Sequence, residues 1–241
     1  MLKEISSVFS FLTIIPSNNT DLETVARYMH VFPIIGIGIG LLIASIGFGL
    51  SFFLEPLIVA LLVVVSIAII TGIHHTDGLA DFADGLMTRG TKEKKRKAMK
   101  DLSTGSAGIV SVVLSIVGVI IALSLTTGYE LFQAILLSEI LAKFSMVLMA
   151  SIGKSAAVGS NSPFMQIMKD KRRLAVAGVI TIIPLVVIGG TTGLILFGAS
   201  IGVTLFLIGL STRSFGGITG DVMGAANELT RLSSLLIFVS L

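Results

Sequence analysis

Cysteine and tryptophan are both absent from this 241-residue chain, and only 13% of its residues are charged. Because there is no cysteine, disulfides and thiolate metal sites are excluded. Soluble domains are about 25% charged, and a mean hydropathy of +1.00 means more apolar surface than a soluble fold can hide. These shortages exclude a soluble domain and predict an all-α, polytopic integral membrane protein with one domain over residues 1–241.

Six apolar stretches are long enough to cross a bilayer, since a spanning helix needs about 20 residues. They cover 33–54, 57–75, 107–126, 131–152, 174–190 and 193–210. Turn signals separate neighbouring stretches at 55–56, 127–128 and 189–190. The C-terminal LSSLLIFVSL is too short alone and would cross only if joined to 221–230. The sequence therefore predicts six to seven transmembrane helices.

The basic residues are distributed unevenly between the two sides of this arrangement. One side receives the N-terminus and the loops 76–106, 153–173 and 211–231, with 16 of the 17 lysines and arginines. The other side receives the short connections, which contain no lysine or arginine, and Lys143 lies within a span. Cytoplasmic loops are enriched in Lys and Arg. The chain is therefore predicted to lie in the cell membrane with the first side in the cytoplasm.

Acidic residues are concentrated in GIHHTDGLADFADGLMTRG, which begins at Gly72. Asp77, Asp81 and Asp84 are spaced i, i+4 and i+7, which places them on one helical face. Three like charges at a membrane edge repel each other, and a divalent cation with a substrate phosphate beyond it would offset that repulsion. His75 precedes them as a candidate base. The alternatives are a solvated amphipathic turn and a cation path through a transporter.

A second polar cluster, GGITGDVMGAANE, begins at Gly216. Asp221 and Glu228 are seven residues apart and would share a helix face. Thr219-Gly220-Asp221 could open that helix as an N-cap region, where free N–H groups bind anions. The alternative for the glycines is helix packing through small residues.

The loop TRGTKEKKRKAMKD has seven cations from Arg89 to Lys100. One explanation of these cations is attraction to anionic lipid. The other is that Arg89 or Lys100 helps to hold a phosphorylated substrate. The following STGSAG could expose backbone N–H groups to a phosphate. Lys143 follows Glu139 by four residues, a spacing that predicts an ion pair within the helix. The alternative is a functional role for Lys143 inside the span.

Together these motifs resemble the cobalamin synthase family, also called adenosylcobinamide-GDP ribazoletransferase. HTDGLADFADGL resembles the H-x-D-G-x-x-D-x-x-D-G signature, and GGITGDVMGAANEL resembles the C-terminal block. Met99-Lys100-Asp101 resembles an intermediate block, and FLTIIP resembles a segment that usually reads FLTRIP. The chain departs from the family at Ile14 and Lys143, where arginine is common.

The resemblance implies an enzyme that joins adenosylcobinamide-GDP to α-ribazole or its 5′-phosphate, releases GMP and requires Mg²⁺. It implies metal ligands and catalytic residues among His75, Asp77, Asp81, Asp84, Asp221 and Glu228, with Asp77, Asp81 and Asp84 on the metal. It implies substrate contacts at Arg89, Lys100, Asp101, Thr219 and Asn227.

Two other functions stay open at this stage. A CDP-alcohol phosphotransferase uses related chemistry, but that family expects a D-G-x-x-A-R pattern. In this chain Asp81 follows Ala80, so the Ala-Arg pair is absent. A cation-coupled transporter is the non-enzymatic alternative. The expected partners are small-molecule substrates and the lipid membrane, with no nucleic acid; a homo-oligomer or association with other pathway enzymes is left open.

Overall fold

The computed structural model describes residues 2–16, 21–156 and 162–241, and these ranges contain helices and no β-strand. The α-helices are α1 (Leu2–Leu12), α2 (Leu22–Arg27), α3 (Phe32–Leu50), α4 (Pro56–Thr71), α5 (His74–Met87), α6 (Lys92–Ala98), α7 (Ser106–Ser124), α8 (Gly128–Ile152), α9 (Ser162–Ile167), α10 (Lys171–Phe215) and α11 (Gly220–Phe238). The predicted all-α class is confirmed.

Four helical segments of the described chain are long and apolar enough to cross a membrane: Met29–Leu50, α7, α8 and α10. A fifth is added if α4 and α5, which are bent by 93° across a short break, count as one span. The polytopic membrane class is confirmed, and the count of six to seven helices stays a prediction.

The 45-residue α10 is a hairpin of two helical halves. Gly190 has φ 54° and ψ −129°, which interrupts the helix. A Cβ atom on Gly193 would overlap the backbone carbonyl of Leu185, although residues eight apart in a straight helix lie about 12 Å apart. The chain therefore reverses where Gly189-Gly190 predicts a turn, and glycine supplies the positive φ that the reversal requires.

The predicted loop 211–231 is wrong over most of its length. Helix α10 continues to Phe215 and ends at Gly216, which has φ 85°. Thr219 begins α11 as its N-cap, since its hydroxyl accepts the Val222 N–H. Only the four residues 216–219, the two caps included, are non-helical. The physical reason is that the chain from Asp221 to Phe238, which includes most of LSSLLIFVSL, forms one continuous helix.

Helix α8 is the centre of the bundle, and almost all of its residues from Leu131 to Ala150 are buried. Gly36 and Gly40 of α3 lie against its backbone, where a Cβ would come within 2.9 Å of the Glu139 carbonyl and Leu136 respectively. Small residues let membrane helices approach closely in this way. Large apolar side chains on α7, including Ile109, Leu114 and Ile121, are exposed, as a lipid-facing surface requires.

The loops predicted to share one side meet at one end of the bundle. Arg96 donates to the Phe215 carbonyl at 2.6 Å, and Lys95 donates to the Leu86 carbonyl at 2.7 Å. The Ile218 N–H donates to the Lys154 carbonyl at 2.7 Å. Two cations of the basic loop therefore stabilise helix C-termini, where unpaired carbonyls favour positive charge.

Candidate active site

A sharp bend positions the acidic helix. Gly72 and Ile73 have φ of 64° and 55°, so two consecutive left-handed residues separate α4 from α5. A β-branched residue such as Ile73 adopts this conformation at a cost of about 1–3 kcal/mol. Helix α5 begins directly afterwards, at 93° to α4. The bend therefore directs the acidic motif away from the apolar axis of α4 and across the end of the bundle.

The structure brings together carboxylates from both polar clusters. Burial, followed by the charges of Asp221, Asp77 and Asp84, raises the pKa of Asp81 to about 6. Burial also raises the pKa of Asp221, and the charge of Asp77 adds to this effect. Since Asp221 lies 144 residues after Asp77 in the chain, this juxtaposition is a product of the fold. The predicted clustering of negative charge therefore extends across α5 and α11.

Glycine allows the two acidic helices to touch. A Cβ on Gly78 of α5 would lie 3.0 Å from the Asp221 carbonyl oxygen and 3.3 Å from the Gly224 Cα. A Cβ on Gly224 would lie 3.3 Å from the His75 carbonyl. These neighbours are backbone atoms, which cannot move aside as a flexible side chain can. A side chain at Gly78 would therefore move α11, and with it Asp221, away from α5.

Asp84 holds the start of α7 against α5. Its carboxylate accepts the Gly105 N–H at 2.7 Å and the Gly108 N–H at 2.8 Å. A negative charge is favourable at a helix N-terminus, and glycine at both positions leaves room for the carboxylate. The STGSAG turn therefore offers N–H groups to Asp84. Each carboxylate oxygen keeps a second lone pair, which is available to a cation.

Asn227 and Glu228 belong to a buried network of charged side chains between α8 and α11. Lys143 donates to Asn227 at 2.7 Å, and Asn227 donates to Glu228 at 3.1 Å. Arg231 donates to Glu228 at 2.6 Å and to Glu139 at 2.5 Å. The Glu139–Lys143 ion pair predicted from the sequence is present at 3.6 Å. These contacts hold α11 in register with α8 some turns away from Asp221.

His75 faces this network, on the opposite side of α5 from Asp77. The imidazole is buried and lies near the charges of Lys143 and Arg231. Its Nδ1 atom is enclosed without a hydrogen-bond partner among the residues that the structure describes. The structure therefore separates His75, Asn227 and Glu228 from the aspartate cluster, although all were predicted for one site.

The remaining predicted residues lie at the start of α11 and in the loops that follow α5 and α6. Thr219 caps α11 and donates to the Asp221 carboxylate at 3.3 Å. Lys100 lies near enough to Asp221 to oppose the rise of its pKa. Asp101 is exposed, and hydrogen bonds from Ser103 lower its pKa. Arg89 is exposed just beyond α5. Within the described ranges no three His, Asp or Glu side chains are arranged to hold a metal ion unaided.

Comparison with known proteins decides the family. A profile of the family described as cobalamin-5-phosphate synthase matches residues 4–239. The chain belongs to this family. The resemblance of the two acidic motifs to a cobalamin synthase is therefore confirmed.

Relatives of this cobalamin-5-phosphate synthase family member are similar over almost their whole length. The adenosylcobinamide-GDP ribazoletransferase of Methanocella arvoryzae is 32% identical over 98% of this chain and 94% of its own. Those of Pyrococcus abyssi and Archaeoglobus fulgidus are each 35% identical, over 96% and 98% of this chain and 95% and 96% of their own. No solved structure matches the chain.

Sequence reasoning about this synthase family member missed Arg231, which bridges the carboxylates of Glu139 and Glu228. Its spacing from Glu228 is i, i+3, which is a signal for a pair on one helix face. That signal was available, since Asp221 and Glu228 were already predicted to share a helix face, but the spacing does not indicate that Arg231 also meets Glu139 of α8.

Proposed function

We propose that this chain is an adenosylcobinamide-GDP ribazoletransferase. The observation that carries the proposal is the contact of α5 with the first turn of α11, where a Cβ on Gly78 would lie 3.0 Å from the Asp221 carbonyl oxygen. This contact brings Asp221 towards Asp77 and Asp81, in a chain that matches the synthase family over residues 4–239. The family match favours this activity over a CDP-alcohol phosphotransferase and over a cation-coupled transporter.

The reaction is a phosphoryl-group substitution. A ribose hydroxyl oxygen of α-ribazole bonds to the phosphorus that carries cobinamide, and the bond from that phosphorus to the bridging oxygen of GMP breaks. GMP leaves with the electron pair of that bond, and the hydroxyl proton passes to a base. Such reactions need positioned reactants and neutralised charge more than covalent chemistry by the protein.

Magnesium suits the donors that the fold collects. Mg²⁺ prefers oxygen ligands and is commonly held by one or two carboxylates together with substrate phosphates. This fits a cluster that, among the residues the structure describes, does not complete a metal site by itself. Asp77 and Asp81 would hold the ion, with Asp84 contributing its free lone pairs. When bound, the ion would neutralise charge on the diphosphate.

The surrounding side chains have distinct roles in this proposal. Asp221 is half-buried, faces Asp77 and is held by Thr219, so it is placed to orient the ribose hydroxyl and accept its proton. Lys100 and Arg89 are cations at the rim for the substrate phosphates. Asn227 and Glu228 act from the buried network by fixing α11 against α8, and His75 packs beside that network from α5.

The direct test is release of GMP by the purified chain in lipid nanodiscs. We expect GMP to form only when adenosylcobinamide-GDP, α-ribazole and Mg²⁺ are all present, with one corrinoid product for each GMP. If liposomes containing the chain show coupled cation flux and no GMP forms from these substrates, the hypothesis of a cation-coupled transporter replaces the proposal.

Orientation in the cell membrane is a second proposal, with the acidic cluster on the cytoplasmic side. The chain lacks cysteine, so single cysteines can report it. We expect Lys94→Cys to react with an impermeant maleimide only after cells are opened, and Tyr129→Cys to react in intact cells. Both side chains are exposed, and the candidate span α7 separates them along the chain. Labelling in the reverse pattern would contradict the orientation.

We expect Gly78→Val to lower the rate of GMP release by about 10²-fold or more, because a displaced catalytic group loses activity steeply with distance. The valine would press on backbone atoms of Asp221 and Gly224. Gly209→Val is the matched control, since a Cβ there meets nothing within 4 Å. Equal rates in the two variants would show that the contact of α5 with α11 does not set the geometry.

A further inference from the structure

An apolar cavity of about 170 Å³ lies at the same end of the bundle as the aspartates. It is lined by side chains without polar groups and by one glycine: Phe11, Leu22, Phe32, Met146, Phe164, Gly220 and Met223. These residues come from α1, α2, α3, α8, α9 and α11, so six helices converge on it. Three of the seven are phenylalanines, and aromatic walls of this kind suit a flat ring.

The cavity is well formed on its inner walls. Phe32, Phe164 and Met223 are at most 5% exposed. The ring of Phe11 lies 6.3 Å from that of Phe32 and 5.8 Å from that of Phe164, both in tilted geometry. Interlocked rings of this kind hold a fixed shape, because each restricts the rotation of the next.

One residue connects the cavity to the aspartate cluster. Gly220 lines the cavity and directly precedes Asp221. A Cβ on Gly220 would meet nothing within 4 Å, so open space adjoins the first turn of α11. Met223 lies on the far side of that turn from Asp221, at about 200° around the helix. A ligand that reaches both places must pass around the helix start, as a flat base in the cavity joined to a ribose beside Asp221 would.

The lining selects among the flat rings that the proposed reaction brings to the site. Guanine and adenine have exocyclic groups that need hydrogen-bond partners, and burying them without partners is unfavourable. The benzimidazole ring of α-ribazole has two methyl groups instead and only one free ring nitrogen. It is the ring that such a cavity accepts with least loss of hydrogen bonding.

We propose that the apolar cavity binds the benzimidazole base of the ribazole substrate, with the ribose extending past Gly220 to Asp221. The inference rests on the proposed function, and it names the pocket that selects the nucleoside. Bound there, the base fixes the distance between the cavity and the attacking hydroxyl, so the fit of the base governs the KM for the nucleoside.

The first test uses the wild-type chain in nanodiscs and measures GMP release at saturating adenosylcobinamide-GDP. We expect the KM to rise in the order α-ribazole, the riboside of unsubstituted benzimidazole, and the α-riboside of adenine, with the last about tenfold or more above the first. Equal KM values for the adenine and dimethylbenzimidazole ribosides would overturn the proposal.

The second test changes the volume of the cavity. We expect Met223→Phe, which fills it, to raise the KM for α-ribazole about tenfold or more and to leave the KM for adenosylcobinamide-GDP within about twofold. Met87→Phe is the matched control, because Met87 is 70% exposed outside the cavity. We expect Met223→Ala, which enlarges it, to improve the relative use of a riboside with a larger flat base.

The outcomes separate this inference from the proposed function. If GMP forms normally but Met223→Phe and Met87→Phe have the same KM for α-ribazole, the base binds elsewhere and the transferase assignment stands. If the wild type forms no GMP with any riboside, the proposed function fails first. Should Met223→Phe not fold, the nucleoside series and Met223→Ala decide the matter.

Discussion

Asp81→Asn is expected to lower the rate of GMP release by about 10³-fold, with normal insertion into the membrane. Asparagine has nearly the same shape, so the change removes charge and one anionic ligand while the packing of α5 is kept. The position is sensitive because Asp81 faces three other aspartates, and charge neutralisation is the main contribution of a phosphoryl-transfer site. Turnover is measured by GMP formation in nanodiscs.

Asp21→Asn makes the same chemical change at an exposed carboxylate that caps α2. Asparagine is an equally good N-cap, so this control is expected to keep the wild-type rate within about twofold. Wild-type turnover in Asp81→Asn, with the protein correctly inserted, would remove Asp81 from the metal site and leave Asp77 and Asp84 to explain the cluster.

Arg231→Met is expected to destabilise the fold by about 3–5 kcal/mol, the usual cost of breaking a buried ion pair by removing one partner. Arg231 is 2% exposed and bonds to both Glu139 and Glu228. Its loss leaves Glu228 without its ion-pair partner and Glu139 with Lys143 alone, at 3.6 Å. The free energy of unfolding is measured by circular dichroism in one detergent for all variants.

Arg27→Met provides the comparison, because Arg27 pairs with Glu23 on the surface with side chains 60% and 75% exposed. Exposed pairs contribute little, so no measurable loss is expected. Adding Glu139→Gln to Arg231→Met should recover part of the stability, since one buried carboxylate is then neutral. Equal stability of Arg231→Met and Arg27→Met would show that the network does not hold α11 against α8.

Local features of the fold were predictable from the sequence because they depend on neighbouring residues. The apolar runs gave the helices, Gly189-Gly190 gave the reversal in α10, and the spacing of Asp77, Asp81 and Asp84 gave one acidic face. Thr219 was predicted as a helix start and is the N-cap of α11. Each of these inferences uses the period of a helix or the conformational preference of one residue.

Contacts between distant segments were not predictable in the same way. Nothing in the spacing says that the Gly105 and Gly108 amides meet Asp84, or that Arg231 meets Glu139. The pairing of Asp221 with the first acidic motif came from the resemblance to a family. The apolar cavity was missed altogether, since its residues come from six helices and look like ordinary core residues one by one.

Binding of Mn²⁺, followed by electron paramagnetic resonance on the chain in nanodiscs, tests most directly whether the aspartates hold a metal with a diphosphate. With adenosylcobinamide-GDP present, we expect the wild type to bind Mn²⁺ and Mg²⁺ to displace it. In Asp77→Asn/Asp81→Asn the affinity should fall about 100-fold, as loss of two anionic ligands requires. The same Mn²⁺ affinity in both proteins would contradict the account, because the metal would then follow the substrate alone.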